Sequence, residues 1–502
     1  MSQQKKVIVV GGGIGGLTTG ALLARYGYDV TIYDQAIVPG GCASTFKRKG
    51  FTFDVGATQV AGLEKGGIHD RIFQELEVGL PPASNCNPAY AVFLPQEKQP
   101  IMVWRDQEKW AIEREGHFPN SGLFWKLMNI LFEASWRFQS RDPILPPRSL
   151  WDFKQLIQAL RLDTFVTVPF TLMTVADALN LCGVGGDRRL RTFLDMQLKL
   201  YSQVSCEETA LLYAATALSV SQEPQGLFHL QGSMQVLSDR LVKGLKKYGG
   251  RLKMRHRVTK IHTDNKGAKS VSVKNMKTGV SETLEADYIV GNLTVNDLAS
   301  TTDNINGGYR RRVEKLKDAS GAFVIYLGVD RRAIPDNCPP HLQFLYDYEG
   351  EIGEMNSLFV SVSKEGDGRS PEGKATIIAS SFTDINLWWD ISKDEYEAIK
   401  QDYTKKAIDR LGEYFRLNSD TIEVQETATP VTFYNYTARE KGIVGGVGQR
   451  LNTFGPFGFA PRTPIKNLWI VGDSVHPGEG TAGVSYSALT VVRQILEEKG
   501  KG

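Results

Sequence analysis

Gly11, Gly13 and Gly16 stand in G-x-G-x-x-G register near the start of a 502-residue chain, and Asp34 follows 18 residues after the last of them. Glycines at that spacing strip one turn of side chains, so that a pyrophosphate can rest on backbone N–H groups. A carboxylate about 20 residues on accepts hydrogen bonds from a ribose. A second cluster lies near the other end. Gly472-Asp473 leads into a glycine-spaced loop, Gly478, Gly480, Gly483 and then Val484, which also carries His476 and Glu479. Those two side chains are the candidates for moving a proton. Asp473, Ser474 and His476 do not read as a hydrolase triad, because triad members come from separate segments and no G-x-S-x-G elbow is present.

The surrounding sequence supplies elements able to position these residues. Val7 to Val10 is an apolar strand that stops at glycine, Leu17 to Tyr26 reads as a helix ended by Gly27, and Asp29 to Tyr33 alternates as a second strand delivering Asp34. That is the beginning of a βαβ unit, and with it the glycine triplet becomes a dinucleotide site. Leu468 to Val471 is another apolar strand, followed after the loop by a helix to about Leu496. In the middle, a turn at Gly232, a helix from Met234 to Tyr248, a Gly249-Gly250 stop and a strand through Arg257 and Val258 precede the apolar "ADYIVGN" ending at Asn292. Segments such as "SGAFVIYLGVD" and "KATIIASSFT" read as strands of a further sheet.

Composition narrows the classes. Lys and Arg number 59 against 56 Asp and Glu, a net charge of +3, which argues against nucleic-acid binding. Five scattered cysteines without a CxxC pair suggest neither a disulfide framework nor a zinc site. The first strand begins by about Lys6, so no signal peptide is expected, and no apolar run is long enough to span a bilayer.

The N-terminal motif with Pro39-Gly40-Gly41, the Phe53-Asp54-Val55-Gly56 segment and the closing Gly472-Asp473 block resemble the phytoene-desaturase-like branch of the flavin amine oxidases. The resemblance covers nearly the whole chain. The fold class it implies is α/β: a Rossmann-like FAD-binding domain of the flavin amine oxidase and phytoene desaturase type, a mixed-sheet substrate domain, and a helical subdomain able to face a membrane. The expected division is 1–85, 226–300 and 431–502 for FAD binding, 86–115 and 301–430 for substrate, and 116–225 for the helices. The resemblance further implies noncovalent FAD, with Asp473 on the ribityl chain and the following helix pointing its N-terminus at the flavin edge. Val258 is expected to pair with the adenine through its backbone. Gly40, Gly41, Gly56, Ala57 and Thr58 are expected along the phosphates and the ring. Asp34 stands where Glu is common, and Cys42 where Arg often follows the paired glycines, which puts a phosphate-side contact in doubt.

Within that branch the motifs look most like the cyanobacterial carotenoid 3',4'-desaturases. The implied reaction is loss of two hydrogens from a monocyclic or acyclic carotenoid, by hydride departure to flavin N5 and proton loss to a weak base. Oxygen or a quinone would take the electrons. A prolycopene-type cis–trans isomerase using reduced flavin and a retinoid-type saturase are the alternatives. The aromatic and basic stretch from Ser121 to Leu179 reads either as core or as helices lying in a membrane interface. The expected location is peripheral, on the cytoplasmic side of a bacterial membrane, and Trp125 and Trp136 are the residues through which lipid contact would be tested.

Overall fold

A computed structural model describes residues 4–317 and 319–499. Strand Lys6–Val10 lies at the centre of a five-stranded sheet in the order Leu468–Ile470, Tyr288–Gly291, Lys6–Val10, Asp29–Asp34, Arg251–Met254. Every pairing in it is parallel. Parallel strands need covering on both faces, which is why these segments are almost continuously apolar. Helices Ile14–Arg25, Gln235–Lys247 and Gly480–Lys499 pack together against one face, with Leu17, Ala21, Leu241, Val491 and Ile495 in their shared core.

Helix Ile14–Arg25 begins earlier than its apolar pattern suggests, because Gly13 is extended at the N-cap and residues 14–24 are all buried beneath the sheet's neighbours. The predicted single strand through Arg257 and Val258 is two strands. Arg251–Met254 joins the parallel sheet, Arg255 turns at φ +60°, and His256–Asp264 enters a separate three-stranded antiparallel sheet. Val258 therefore pairs with Val273 in the smaller sheet, at a bulge.

A second, seven-stranded mixed sheet has the order Ile422–Ala428, Gly321–Asp330, Lys374–Thr383, Ser357–Val362, His341–Leu345, Tyr90–Phe93, Ile101–Val103. The two parts are joined by a buried ionic cluster. Arg369 donates to Asp54 from Nε and Nη2 at 3.2 and 3.0 Å, and from Nη1 to Asp367 at 3.1 Å and to the Leu230 carbonyl at 2.8 Å. Asp54 in turn accepts from the Met234 N–H at 2.8 Å, at the start of helix Gln235–Lys247.

The helical part corrects the expectation for Trp125. Its ring is buried, its Nε1 donates to Ser121 Oγ at 2.9 Å, and Trp110 and Phe124 pack edge-on against it. Trp136 is half-buried beside Phe132. The exposed apolar surface lies further along, on helix Leu150–Ala159 and the 3-10 segment Thr164–Phe170. Leu150 and Leu162 are 90% and 89% exposed, with Phe153, Ile157, Phe165, Val168 and Leu172 also exposed. Among the described residues no helix is long and apolar enough to cross a membrane.

Candidate functional site

The two glycine turns at the N-terminus press directly against each other. Gly11 has φ +99°, and its N–H donates to the Tyr33 carbonyl at 2.8 Å. A Cβ on Gly16 would sit 2.1 Å from the Gly11 carbonyl oxygen, and one on Gly13 would sit 2.7 Å from Asn292 Nδ2. The Gly40 N–H donates to the Gly12 carbonyl at 2.8 Å, and a Cβ on Gly41 would approach Gly13 Cα at 3.4 Å. This is the backbone cradle that a pyrophosphate requires, backed by the N-terminus of helix Ile14–Arg25. Asp34 shapes the same turn: Oδ2 accepts from the Gly12 N–H at 2.6 Å and Oδ1 from the Ala36 N–H at 2.7 Å. Each carboxylate oxygen retains a lone pair for a ribose hydroxyl.

The strip from Gly56 runs alongside the Cys42 turn. A Cβ on Gly56 would meet the Cys42 carbonyl at 3.1 Å, and the Ala57 N–H donates to that carbonyl at 3.2 Å. Thr58 follows, and Gln59 Nε2 donates to the Ala89 carbonyl at 2.9 Å, tying the strip to the larger sheet.

At the closing block, Gly472 has φ +126° and its N–H donates to Ser487 Oγ at 3.0 Å. Asp473 Oδ2 accepts from Arg439 Nη2, while Oδ1 is buried without a partner. A Cβ on Gly483 would lie 2.5 Å from the Gly478 carbonyl, so the start of helix Gly480–Lys499 folds tightly against its own loop. The Val484 carbonyl lies 3.4 Å from where a Cβ on Gly15 would project, so the two helix N-termini are neighbours.

His476 and Glu479 differ sharply. His476 Nε2 shares a 3.0 Å hydrogen bond with Gln139 Oε1, and the ring packs on Phe454. Burial pushes its imidazole down to about 4, so it is neutral at pH 7. Glu479 Oε2 accepts from Gln203 Nε2 at 3.1 Å, and Oε1 is buried without a partner. Burial, with the charge of Asp473, pushes this carboxyl up to about 8. It is thus a carboxylic acid that can change its charge near neutral pH, beside the helix that closes the site.

The sequence reading missed Gln203 and Arg439, which sit in segments without a motif. One signal was available. The glycines at 442, 445, 446 and 448 are crowded into seven residues, and the structure shows why. A Cβ on Gly445 would strike Gln203 Nε2 at 2.5 Å and Glu479 Oε2 at 2.7 Å, and one on Gly446 would strike the Asp473 carbonyl at 2.4 Å.

The parallel sheet, the paired glycine turns and the unpartnered Asp473 oxygen define a dinucleotide-binding oxidoreductase. Residues 14–496 match the family described as flavin containing amine oxidoreductase, and the chain belongs to that family. Its cofactor is FAD, which the cradle fits. Similar proteins include prolycopene isomerase 2 of an Oncidium hybrid cultivar, 26% identical over 99% of this chain and 85% of that protein. The zeta-carotene-forming phytoene desaturase of Myxococcus xanthus is 24% identical over 99% of this chain and 94% of that protein. Putrescine oxidase bound to putrescine shares the fold with a TM-score of 0.61 at 13% identity, covering 99% of both chains.

Proposed function

We propose that this FAD-dependent oxidoreductase is a carotenoid desaturase that removes two hydrogens across a C–C bond of a monocyclic or acyclic carotenoid, at C-3',4'. Bound FAD supplies the two-electron hydride acceptor. The protein's own part is to exclude water, hold the polyene against the flavin edge and receive the proton left on the neighbouring carbon. Glu479 is the observation that carries this reading. Its buried Oε1 has no partner, Gln203 orients the carboxyl from the other side, and burial makes the ionised form a strong proton acceptor. One C–H bond is lost as hydride, the second as a proton to Glu479, and a C=C bond forms between the two carbons. Oxygen or a quinone then takes the two electrons.

A second reading has its own support. The relatives named prolycopene isomerases cover nearly the whole chain, and a carboxyl with a pKa of about 8 is mostly protonated at neutral pH. As an acid it would protonate the polyene, allow rotation and take the proton back, with no net oxidation. Product mass under controlled redox conditions decides between them. The desaturase gives a product two mass units lighter, shifted to the red, with oxidised flavin and an acceptor. Activity confined to reduced flavin, with unchanged product mass, overturns it in favour of the isomerase.

The substrate class also implies a membrane surface as partner, and helix Leu150–Ala159 supports it. A soluble helix turns its polar face to water. Here Asp152 faces inward, where Arg462 Nε and Gln494 Nε2 donate to its Oδ1 at 3.3 and 3.1 Å. Leu150, Phe153 and Ile157 form the outward stripe, with exposed Arg148, Lys154 and Arg161 at its rim. That inversion is the pattern of an interfacial helix, apolar side in the acyl chains and basic residues at the headgroups.

A further inference from the structure

A pyrophosphate is anionic, yet the segments that cradle it bring no cation. Residues 7–24, 35–46 and 470–483 contain neither lysine nor arginine, while they do contribute Asp473 and Glu479. Asp34 stands between the first two. Helix dipoles and backbone N–H groups offset part of that charge, but a charge-assisted hydrogen bond to phosphate needs a guanidinium or ammonium.

The structure brings one in from elsewhere. Helix Pro430–Thr437 packs against the turn Gly41–Ala43 and ends at Ala438, whose φ of +58° redirects the chain. Arg439 follows. Its backbone is held by the next turn: the Glu440 N–H donates to Asp297 Oδ1 at 3.1 Å, and Gly442, at φ +71°, lies so close to Pro430 that a Cβ would fall 1.8 Å from the Pro430 carbonyl oxygen. Its side chain is fixed as well, with Nη1 donating to the Gly445 carbonyl at 2.6 Å and Nη2 to Asp473 Oδ2. The packing of helix Pro430–Thr437 on the Gly41–Ala43 turn and the Arg439–Asp473 ion pair together bring this cation close to the glycine cradle. The Arg439 side chain keeps 19% of its surface accessible, and Asp473 Oδ1 is buried without a partner.

We propose that Arg439 is a cofactor-binding residue, the cation that meets the pyrophosphate–ribityl junction of FAD and holds Asp473 toward the ribityl hydroxyls. The charge is delivered from a remote loop to the place where Cys42, directly after the paired glycines, supplies none. Because Cys42 belongs to the turn on which helix Pro430–Thr437 packs, directly after Gly40 and Gly41 of the cradle, an arginine moved to that position would return a cation to the same neighbourhood.

That relocation is the test. FAD release from the purified holoprotein is followed on dilution by recovery of flavin fluorescence. Arg439→Gln should accelerate release by roughly 10–100-fold, the range for losing one charged hydrogen bond. Cys42→Arg placed on that background should slow release back toward the wild-type rate, which a residue needed only to brace its own loop would not allow. If Arg439→Gln does not yield folded protein, Arg439→Lys and Arg439→Lys with Cys42→Arg are compared in the same way. Wild-type release from Arg439→Gln overturns the proposal. So does a double variant that regains the wild-type melting temperature without regaining FAD.

Discussion

Glu479 ties the proposed reaction to pH. Burial moves its carboxyl from about 4.5 to about 8, so below that pH it carries a proton and cannot accept another. Desaturation should therefore speed up as pH rises through about 8 and level off above it. Glu479→Gln should abolish that rise and slow turnover by roughly 10²–10⁴-fold, read from initial rates at fixed oxidised flavin. An acid role has the opposite sign, with activity falling above about 8. The same group acts on stability. The folded state keeps a proton that the unfolded chain releases, so its contribution is complete below about 4.5 and is lost as pH rises to about 8. Across that window the wild type should lose melting temperature relative to Glu479→Gln. His476, neutral and bound to Gln139, is a positioning group for the loop rather than a proton carrier at pH 7.

Helix Leu150–Ala159 and the 3-10 segment after it carry the prediction at the level of elements. A capping box between Ser149 and Asp152 starts the helix, so its register, and with it the outward stripe, is set by local hydrogen bonds. Its polar side is anchored by Arg462 and by Arg493, whose Nη2 donates to Gln155 Oε1 at 2.6 Å. Replacing Leu150, Ile157 and Leu162 together by Ser removes apolar area that already faces outward. Flotation with liposomes should drop while the melting temperature stays put. A triple variant that floats like the wild type removes this surface as the lipid contact. Trp125→Ala is the contrasting change. It empties a core position and should cost roughly 3–5 kcal/mol of stability in denaturant melts.

At the scale of the whole molecule, the seven-stranded sheet and the parallel sheet are tied together by a buried ionic cluster. The Arg369 cluster does this with one buried cation joining the Phe51–Asp54 hairpin, the start of helix Gln235–Lys247 and the Asp367 loop. Asp54, Asp367 and Arg369 are each nearly inaccessible. Arg369→Met leaves two carboxylates without their cation, which should cost roughly 3–5 kcal/mol, measured as a fall in the denaturation midpoint. A change below about 1 kcal/mol would mean that the pair is no stronger than an exposed one.

What the sequence determined by itself is local. The glycine spacings, the apolar strands beside them and the carboxylate at Asp34 are contiguous patterns, since turn geometry and strand burial act over a few residues, and they sufficed to expect a dinucleotide fold. FAD was implied by the resemblance of these motifs and the closing block to the flavin amine oxidases. The closing block was legible for the same reason. Tertiary structure decided everything that depends on approach between distant segments. It split the strand at Arg255 and carried Val258 into another sheet, it turned Trp125 inward and Leu150 outward, and it set Gln203 against Glu479 and Arg439 against Asp473. The motif named Glu479, beside His476, as a candidate for moving a proton but said nothing of its pKa. Its raised pKa comes first from burial and then from the charge of Asp473, and desolvation is a property of the assembled interior rather than of any stretch of chain.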